Sequence, residues 1–377
     1  MKELLEILDA RAMQPAFPYA LATVVKVTGS SYRRPGARML IGARGRLAGS
    51  VSGGCLERDV VTRGLAVILS GEAQLAVYDT SDQDDMAFGT SLGCEGRIEI
   101  FIEPVFPEHA WPLAELTERI RREHRRGALA LVYRGTGGIV PGALVFRAEE
   151  EMRSWPEAFL PPAGMEDDLV QVAATKKPLS QTYATPGGEI DVLLQRIAPP
   201  LRLVLFGGGH DVPPLVRLAK ELGHEVTVVD RRVDFAEAAR FPGADRVIHA
   251  RPTDVAGQVP LDADAAVVIM NHHYETDAEL LGIMLQKPIA YLGMLGPRKR
   301  TARILEELRE KGATFTEAQM EKLHAPAGLD LGSENPEQIA LCILAEVQAT
   351  MNERSGSNLR DRQGPIGDRP GGARSSL

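Results

Sequence analysis

The stretch Leu203–Arg232, LVLFGGGHDVPPLVRLAKELGHEVTVVDRR, decides the fold class. Arg202–Phe206 reads as a short buried strand. After the glycines, Leu215, Leu218, Ala219 and Leu222 recur at helical spacing, and Glu225–Val229 reads as a second strand. Strand, glycine turn, helix and strand in that order make one βαβ unit of a parallel sheet. Gly207 and Gly209 fit the first two glycines of G-x-G-x-x-G. Gly207 would allow a tight turn, and Gly209 would let a phosphate approach the backbone under the N–H groups of the helix start. Asp230 follows the second strand, 23 residues after Gly207, where a ribose-binding acid would stand. Val212 replaces the third glycine, and His210 and Asp211 put polar side chains at the turn. A nucleotide or phosphate ligand is expected here, with strict NAD binding in doubt; a doubly wound domain without a dinucleotide is the plainer alternative.

Outward from that unit the alternation continues. Arg246–His249, Ala265–Met270 and Ile289–Leu292 read as strands, and a last helix opens at Asn335 with Pro336 first and Gln338 three residues on, a capping-box pattern. Ligands of open parallel sheets bind beyond the carboxyl ends of the strands. Two clusters fall there: Asn271-His272-His273 with Asp277, and Gly293–Arg300. Arg298, with Lys299 and Arg300, suits a phosphate, and equally a solvated basic turn. His272 and His273 make a poor metal pair, being adjacent and without an evident third ligand.

Upstream, Pro199-Pro200 marks a boundary, so the expected layout is an amino-terminal domain over 1–198, a Rossmann-like domain over 199–350 and a disordered tail over 351–377. The first domain reads as a smaller mixed α/β unit. Its expected strands are Tyr19–Val27, Arg38–Ile41, Gln74–Tyr78, Arg97–Glu103, Leu129–Tyr133, Ala143–Phe146 and Asp191–Ile197. Helices are expected from Leu4, from near Gly54 and over Trp111–Arg126. Residues 148–188 carry no assignable pattern, and no internal repeat is visible.

Two glycine loops in this domain hold cysteines. Gly49–Gly54 leads into a helix with Cys55 in its first turn, beside Gly53 and Gly54, and Cys94 follows Gly93 in the loop Gly89–Gly96. Thiols at helix starts are held closer to the thiolate, although Glu57 would partly oppose that effect. Such a pair could touch a soft metal or a sulfur atom. The ordinary role of a cysteine is a small buried hydrophobe, which suits Cys342 among Ile339, Leu341 and Ile343. Arg33, Arg34 and Arg38 lie in a third loop; they suit phosphate, and surface charge on a hairpin turn is the plainer reading.

The 377 residues carry 44% hydrophobic and 25% charged side chains, as in an ordinary globular chain of two or three domains. A net charge of −8 argues against broad nucleic-acid binding, which needs a basic face. No apolar run approaches the roughly 18 residues of a membrane span, and the opening MKELLEILDARAMQ lacks signal-peptide features. Three cysteines are too few and odd for a disulfide framework, so a cytoplasmic protein with reduced thiols is expected.

Taken in order, GSSYRRPGARMLI, GSVSGGCLERDV, SLGCEGRIEIFIEP, the glycine-turn stretch, IMNHHYETD, YLGMLGPRKR and GSENPEQIALCILAEV resemble the xanthine dehydrogenase accessory factor family, also called XdhC/CoxI. The resemblance spans about residues 20–349. It implies a small domain joined to a Rossmann-like one, and a homodimeric chaperone. Such a chaperone binds the molybdenum cofactor (molybdopterin or its cytosine dinucleotide), supports its sulfuration and hands it to an apo molybdenum hydroxylase. Carried over by motif, Cys55 and Cys94 would contact the metal or dithiolene end, and Gly207, Gly209 and Asp230 a nucleotide or pterin phosphate. His210, His272, Arg298 and Arg34 are the further candidate contacts. An NAD(P)-dependent oxidoreductase and a sulfur carrier served by a cysteine desulfurase are the competing readings; no Ser–His–Asp or paired-carboxylate set argues for a hydrolase.

Overall fold

The computed structural model describes residues 1–29, 31–79 and 96–362. They fall into two compact units, Met1–Pro199 and Pro200–Leu377. In the first unit the order is α1 (Lys2–Ala12), β1 (Tyr19–Gly29), β2 (Arg38–Gly42), β3 (Gly45–Gly49), α2 (Glu57–Ser70), β4 (Gln74–Asp79) and β5 (Gly96–Val105). It continues with α3 (Pro112–Glu123), β6 (Gly127–Gly135), β7 (Leu144–Ala148), β8 (Glu151–Trp155), α4 (Met165–Thr175), β9 (Leu179–Thr185) and β10 (Gly188–Ile197). The unit is the longer of the two, because residues 148–188, which carry no clear pattern, supply β8, α4 and β9.

Its two five-stranded sheets run β3-β2-β1-β5-β4 and β8-β7-β6-β10-β9, antiparallel throughout. Each is built by the same succession, helix, three strands, helix, two strands. The unit is therefore a structural repeat, although no repeat shows in its residues. Strand alternation explains how. In β1, Tyr19, Leu21 and Val25 enter one core while Ala20, Ala22 and Val24 enter another. In β6, Leu129, Leu131 and Tyr133 join the first core, and Ala128, Ala130 and Val132 lie on the opposite face. Large side chains from both sheets thus share one core with α1 and α3. The small ones leave room for α2 on one sheet and α4 on the other. Gly64 of α2 makes the closeness explicit, since a Cβ there would lie 2.5 Å from Ile41 Cδ1.

The second unit is a doubly wound α/β domain. Its elements are β11 (Arg202–Phe206), α5 (Val212–Glu221), β12 (Glu225–Asp230), β13 (Arg246–His249), β14 (Ala265–Ile269), α6 (Tyr274–Leu285), β15 (Tyr291–Met294), α7 (Arg298–Glu310), α8 (Glu317–Glu321), β16 (Leu323–His324) and α9 (Pro336–Met351). All six strands are parallel, in the order β13-β12-β11-β14-β15-β16. This is the Rossmann order, with the chain switching direction between β11 and β14. One face is covered by α6 and α7, the other by α5 and α9. Val212, in the place of the third glycine, is fully buried in the α5–α9 core, so helix–sheet packing there is tight and made by a side chain. Cys342 is buried on α9, and a short 3-10 turn at Leu359–Asp361 falls within the segment expected to be disordered. No helix among the described residues is long and apolar enough to cross a membrane.

Candidate functional site

At the switch point, Gly207 takes φ +121°, and a Cβ on it would lie 2.5 Å from the Met270 carbonyl oxygen. The close approach of the turn after β11 to the chain leaving its parallel neighbour β14 therefore requires glycine. The rest of the turn departs from a phosphate cradle. The first turn of α5 is Val212-Pro213-Pro214, and proline has no N–H, so two of the donors expected to face an anion are missing. The Asp211 carboxylate stands over the turn. One oxygen would lie 2.6 Å from a Cβ on Gly209, and the other lies 2.9 Å from His272 Nε2. A carboxylate thus fills the electrostatic place at the helix start that a phosphate would take.

Asp230 is 1% exposed, and its two oxygens accept four hydrogen bonds. The donors are Gly208 N at 2.7 Å, Arg232 N at 2.8 Å, and the Arg232 guanidinium at 2.9 and 2.7 Å. Burial works against its ionisation, but the bonds from Arg232 and Gly208 outweigh it and hold Asp230 below the usual carboxylate range. A carboxylate offers about four acceptor sites, so none is left for a ribose diol. The Arg232 guanidinium lies 3.7 Å over the Phe235 ring; Arg240 lies 4.6 Å from the same ring and donates to Gly208 O at 3.0 Å.

These groups border a cleft of about 530 Å³ that brings together Gly209, His210, Asp230 and His272 of the expected residues. It adds Arg231 and Arg232, which the sequence reading passes over although the Asp-Arg-Arg triplet signals them, and Phe235, which no local motif marks. His272 takes φ +56°, unusual for a residue other than glycine, and turns its exposed ring onto Asp211. His273 serves as the N-cap of α6, with Nδ1 3.0 Å from Thr276 Oγ1. Arg298 is the exposed first residue of α7 and does not line the cleft. Its neighbour Arg300 pairs at 2.5 Å with buried Asp277, which also accepts from Asn271 Nδ2 at 3.1 Å.

In the first unit α2 begins at Glu57, not near Gly54, so Cys55 precedes the helix. The cause is Ser52. Its hydroxyl accepts from Gly54 N at 3.2 Å and Leu56 N at 3.1 Å, while the Glu57 carboxylate reaches back to Ser52 N at 2.8 Å and to the hydroxyl itself. Three N–H groups of the loop, those of Ser52, Gly54 and Leu56, are thus already bonded within it. The exposed Cys55 Sγ lies 3.6 Å from Ser52 Oγ. The loop over 31–37, with exposed Arg34, joins it: a Cβ on Gly53 would lie 3.4 Å from the Tyr32 ring, and Arg33 Nε donates to Ser50 O at 3.1 Å. Gly54, at φ +114°, has open space beside it. Arg38 is not surface charge. It is 4% exposed, and burial lowers its guanidinium to about 10 against the opposing pull of Glu103 and Glu3. Gly93 and Cys94 lie outside the described residues.

Residues 203–347 match the XdhC Rossmann domain, and residues 14–79 match the XdhC and CoxI family. A Bacillus subtilis (strain 168) protein, named as a probable subunit of xanthine dehydrogenase, is 31% identical over 88% of this chain and 92% of its own. The chain belongs to the XdhC and CoxI family. Escherichia coli (strain K12) PaoD, named a molybdenum cofactor insertion chaperone, is 22% identical over 87% of this chain and 81% of its own. A solved Bacillus halodurans structure, described as a xanthine dehydrogenase, superposes with a TM-score of 0.74 at 27% identity, covering 95% of this chain and 98% of that one.

In this XdhC/CoxI protein the Rossmann topology implies a dinucleotide, but the residues do not fit one. The turn has lost helix N–H donors and gained Asp211, and the ribose acid is saturated by Arg232 and Gly208. Among the described residues no group of three or more His, Cys, Asp and Glu side chains is placed to hold a metal ion.

Proposed function

We propose that this XdhC/CoxI protein is a maturation chaperone that binds the molybdenum cofactor, shelters it, supports its sulfuration and delivers it to an apo molybdenum hydroxylase of the xanthine or carbon monoxide dehydrogenase type. The observation that carries the reading is the exposed Cys55 thiol on a bend of bare main chain, in a chain related over most of its length to a protein named an insertion chaperone. The thiol is soft, sterically open on its Gly54 side, and oriented by Ser52, so it can meet a dithiolene-bound metal or a sulfur atom. The protein works in the reducing cytoplasm as a homodimer, with a cysteine desulfurase as the sulfur source. A sulfur-carrier role, with a persulfide on Cys55, is a variant of the same chemistry. The oxidoreductase reading is disfavoured by the saturated Asp230.

Protein purified from cells that make the cofactor should carry molybdenum and yield fluorescent pterin on oxidation, and should activate an apo hydroxylase. Cys55→Ala and Cys94→Ala should each lower retained molybdenum at least about tenfold, a loss of roughly 1.4 kcal/mol in binding. Unchanged retention in both variants removes the thiol role; absence of cofactor from the wild type, with no activation, removes the chaperone.

A further inference from the structure

We infer that the cleft of the carboxyl-terminal unit is used in the reverse sense to a dinucleotide site. Arg231 and Arg232 at the end of β12 take a phosphate monoester, and Asp211 with His272 at the glycine turn takes the hydrogen-bond-donating edge of a pterin. The identity of the ligand rests on the chaperone reading; the polarity of the cleft rests on its side chains.

In a dinucleotide site the glycine turn is the positive end and the acid after the second strand is the negative one. Here each end has changed sign. Pro213 and Pro214 withdraw donors from the turn, and Asp211 adds a carboxylate whose second oxygen is held by His272. A phosphate placed there meets a like charge. A 2-amino-4-oxo pterin edge instead offers two adjacent N–H donors, one on the ring and one exocyclic, which a carboxylate accepts side by side as it does from a guanidinium. The left-handed backbone of His272 is the kind of strained position that clusters at ligand sites, and it brings the imidazole onto Asp211.

At the other end Asp230 is buried and fully bonded, so it presents no acceptor to a ligand. Its partner Arg232 uses Nε and one terminal nitrogen on it, which leaves the other terminal N–H groups of the fork. Arg231 stands beside it on the cleft wall, exposed, and Phe235 supplies an aromatic surface in the same cleft. A guanidinium fork matches a phosphate monoester in charge and shape. A cleft of about 530 Å³ is the size of a small-ligand site.

The test uses the full chain and a fluorescent probe, the phosphorylated pterin obtained by oxidising molybdopterin, alongside the same pterin after phosphatase treatment. The phosphorylated form should bind at least about tenfold tighter than the dephosphorylated form. Arg231→Ala, which leaves the Arg232–Asp230 pair intact, should shrink that difference severalfold and leave the dephosphorylated pterin unchanged. Asp211→Asn should weaken both forms about tenfold. Neither NAD⁺ nor NADP⁺ should displace the probe. Displacement by either dinucleotide, equal affinity of the two pterins, failure of the probe to bind, or indifference to both substitutions overturns the assignment. Full retention of molybdenum cofactor by Arg231→Ala and Asp211→Asn chains would also remove it and leave the chaperone reading standing. Loss of cofactor from the wild type would remove that reading while the pterin titration still reports on the cleft.

Discussion

An alanine at position 207 would have to hold φ near +121° and press its Cβ against the Met270 carbonyl. Gly207→Ala should therefore cost about 2–4 kcal/mol in a denaturant melt, since neither backbone can retreat from the sheet. His224 is a second residue whose surroundings decide its chemistry. It is 8% exposed, and burial, helped by the charge of Lys220, lowers it to about 4 from an ordinary 6.5. The folded protein then binds fewer protons than the unfolded chain between those values. Stability is full above about pH 6.5 and falls as the pH drops toward 4, by about 3 kcal/mol in all. Urea melts at pH 7 and pH 4.5 should show the slope in the wild type, and His224→Gln should flatten it. Gly207 was legible in the sequence because the strand–glycine–helix order around it is contiguous, although the carbonyl it must clear, Met270, is not near it in the chain. The saturation of Asp230 was legible only in part, since Arg232, two residues on, supplies three of its four hydrogen bonds but the fourth comes from Gly208, 22 residues away.

Among the elements, α9 shows what local signals carry. Asn335 Oδ1 accepts from Gln338 N at 2.9 Å, and the Gln338 side chain reaches back to Asn335 N at 3.3 Å, as the capping pattern predicts. Asn335→Ala should lower stability by about 1 kcal/mol. The start of α7 shows what they miss. Arg298, Lys299 and Arg300 look alike in the sequence, yet Arg300 alone turns inward to pair with Asp277. Removing that guanidinium leaves a buried carboxylate, so Arg300→Ala should cost about 3–5 kcal/mol, while Arg298→Ala stays within about 0.5 kcal/mol. The thiol loop belongs to the same lesson. The helical spacing of Val60, Leu65 and Leu69 locates α2, but the Ser52–Glu57 bonds set its first residue and leave Cys55 outside it.

On the scale of the whole molecule, the hydrophobic clusters of the first unit are built from residues 4–197 and those of the second from residues 203–347. Fragments 1–199 and 200–362 should each unfold cooperatively by themselves, as calorimetry would show; a fragment without a transition would contradict that division. Within the first unit the two instances of the α-β-β-β-α-β-β succession differ at their loops. In the second copy β9 and β10 are joined by Pro186 and Gly187 alone, whereas in the first β4 and β5 are separated by residues 80–95, which include Cys94. The stretch before α4 holds no thiol, whereas the stretch before α2 holds Cys55.

The sequence by itself determined the Rossmann-like half, since parallel strands buried on both faces and a glycine turn are written in contiguous residues. It also determined the loops that hold the candidate residues. Only the tertiary structure decided the repeat in the first half, because alternation of large and small side chains can be met by unrelated sequences. Only the tertiary structure, too, decided the charge of the cleft. Whether an acid or an arginine faces a ligand depends on which partner reaches it first, and several of those partners, Gly208 for Asp230, His272 for Asp211 and Asp277 for Arg300, come from distant parts of the chain.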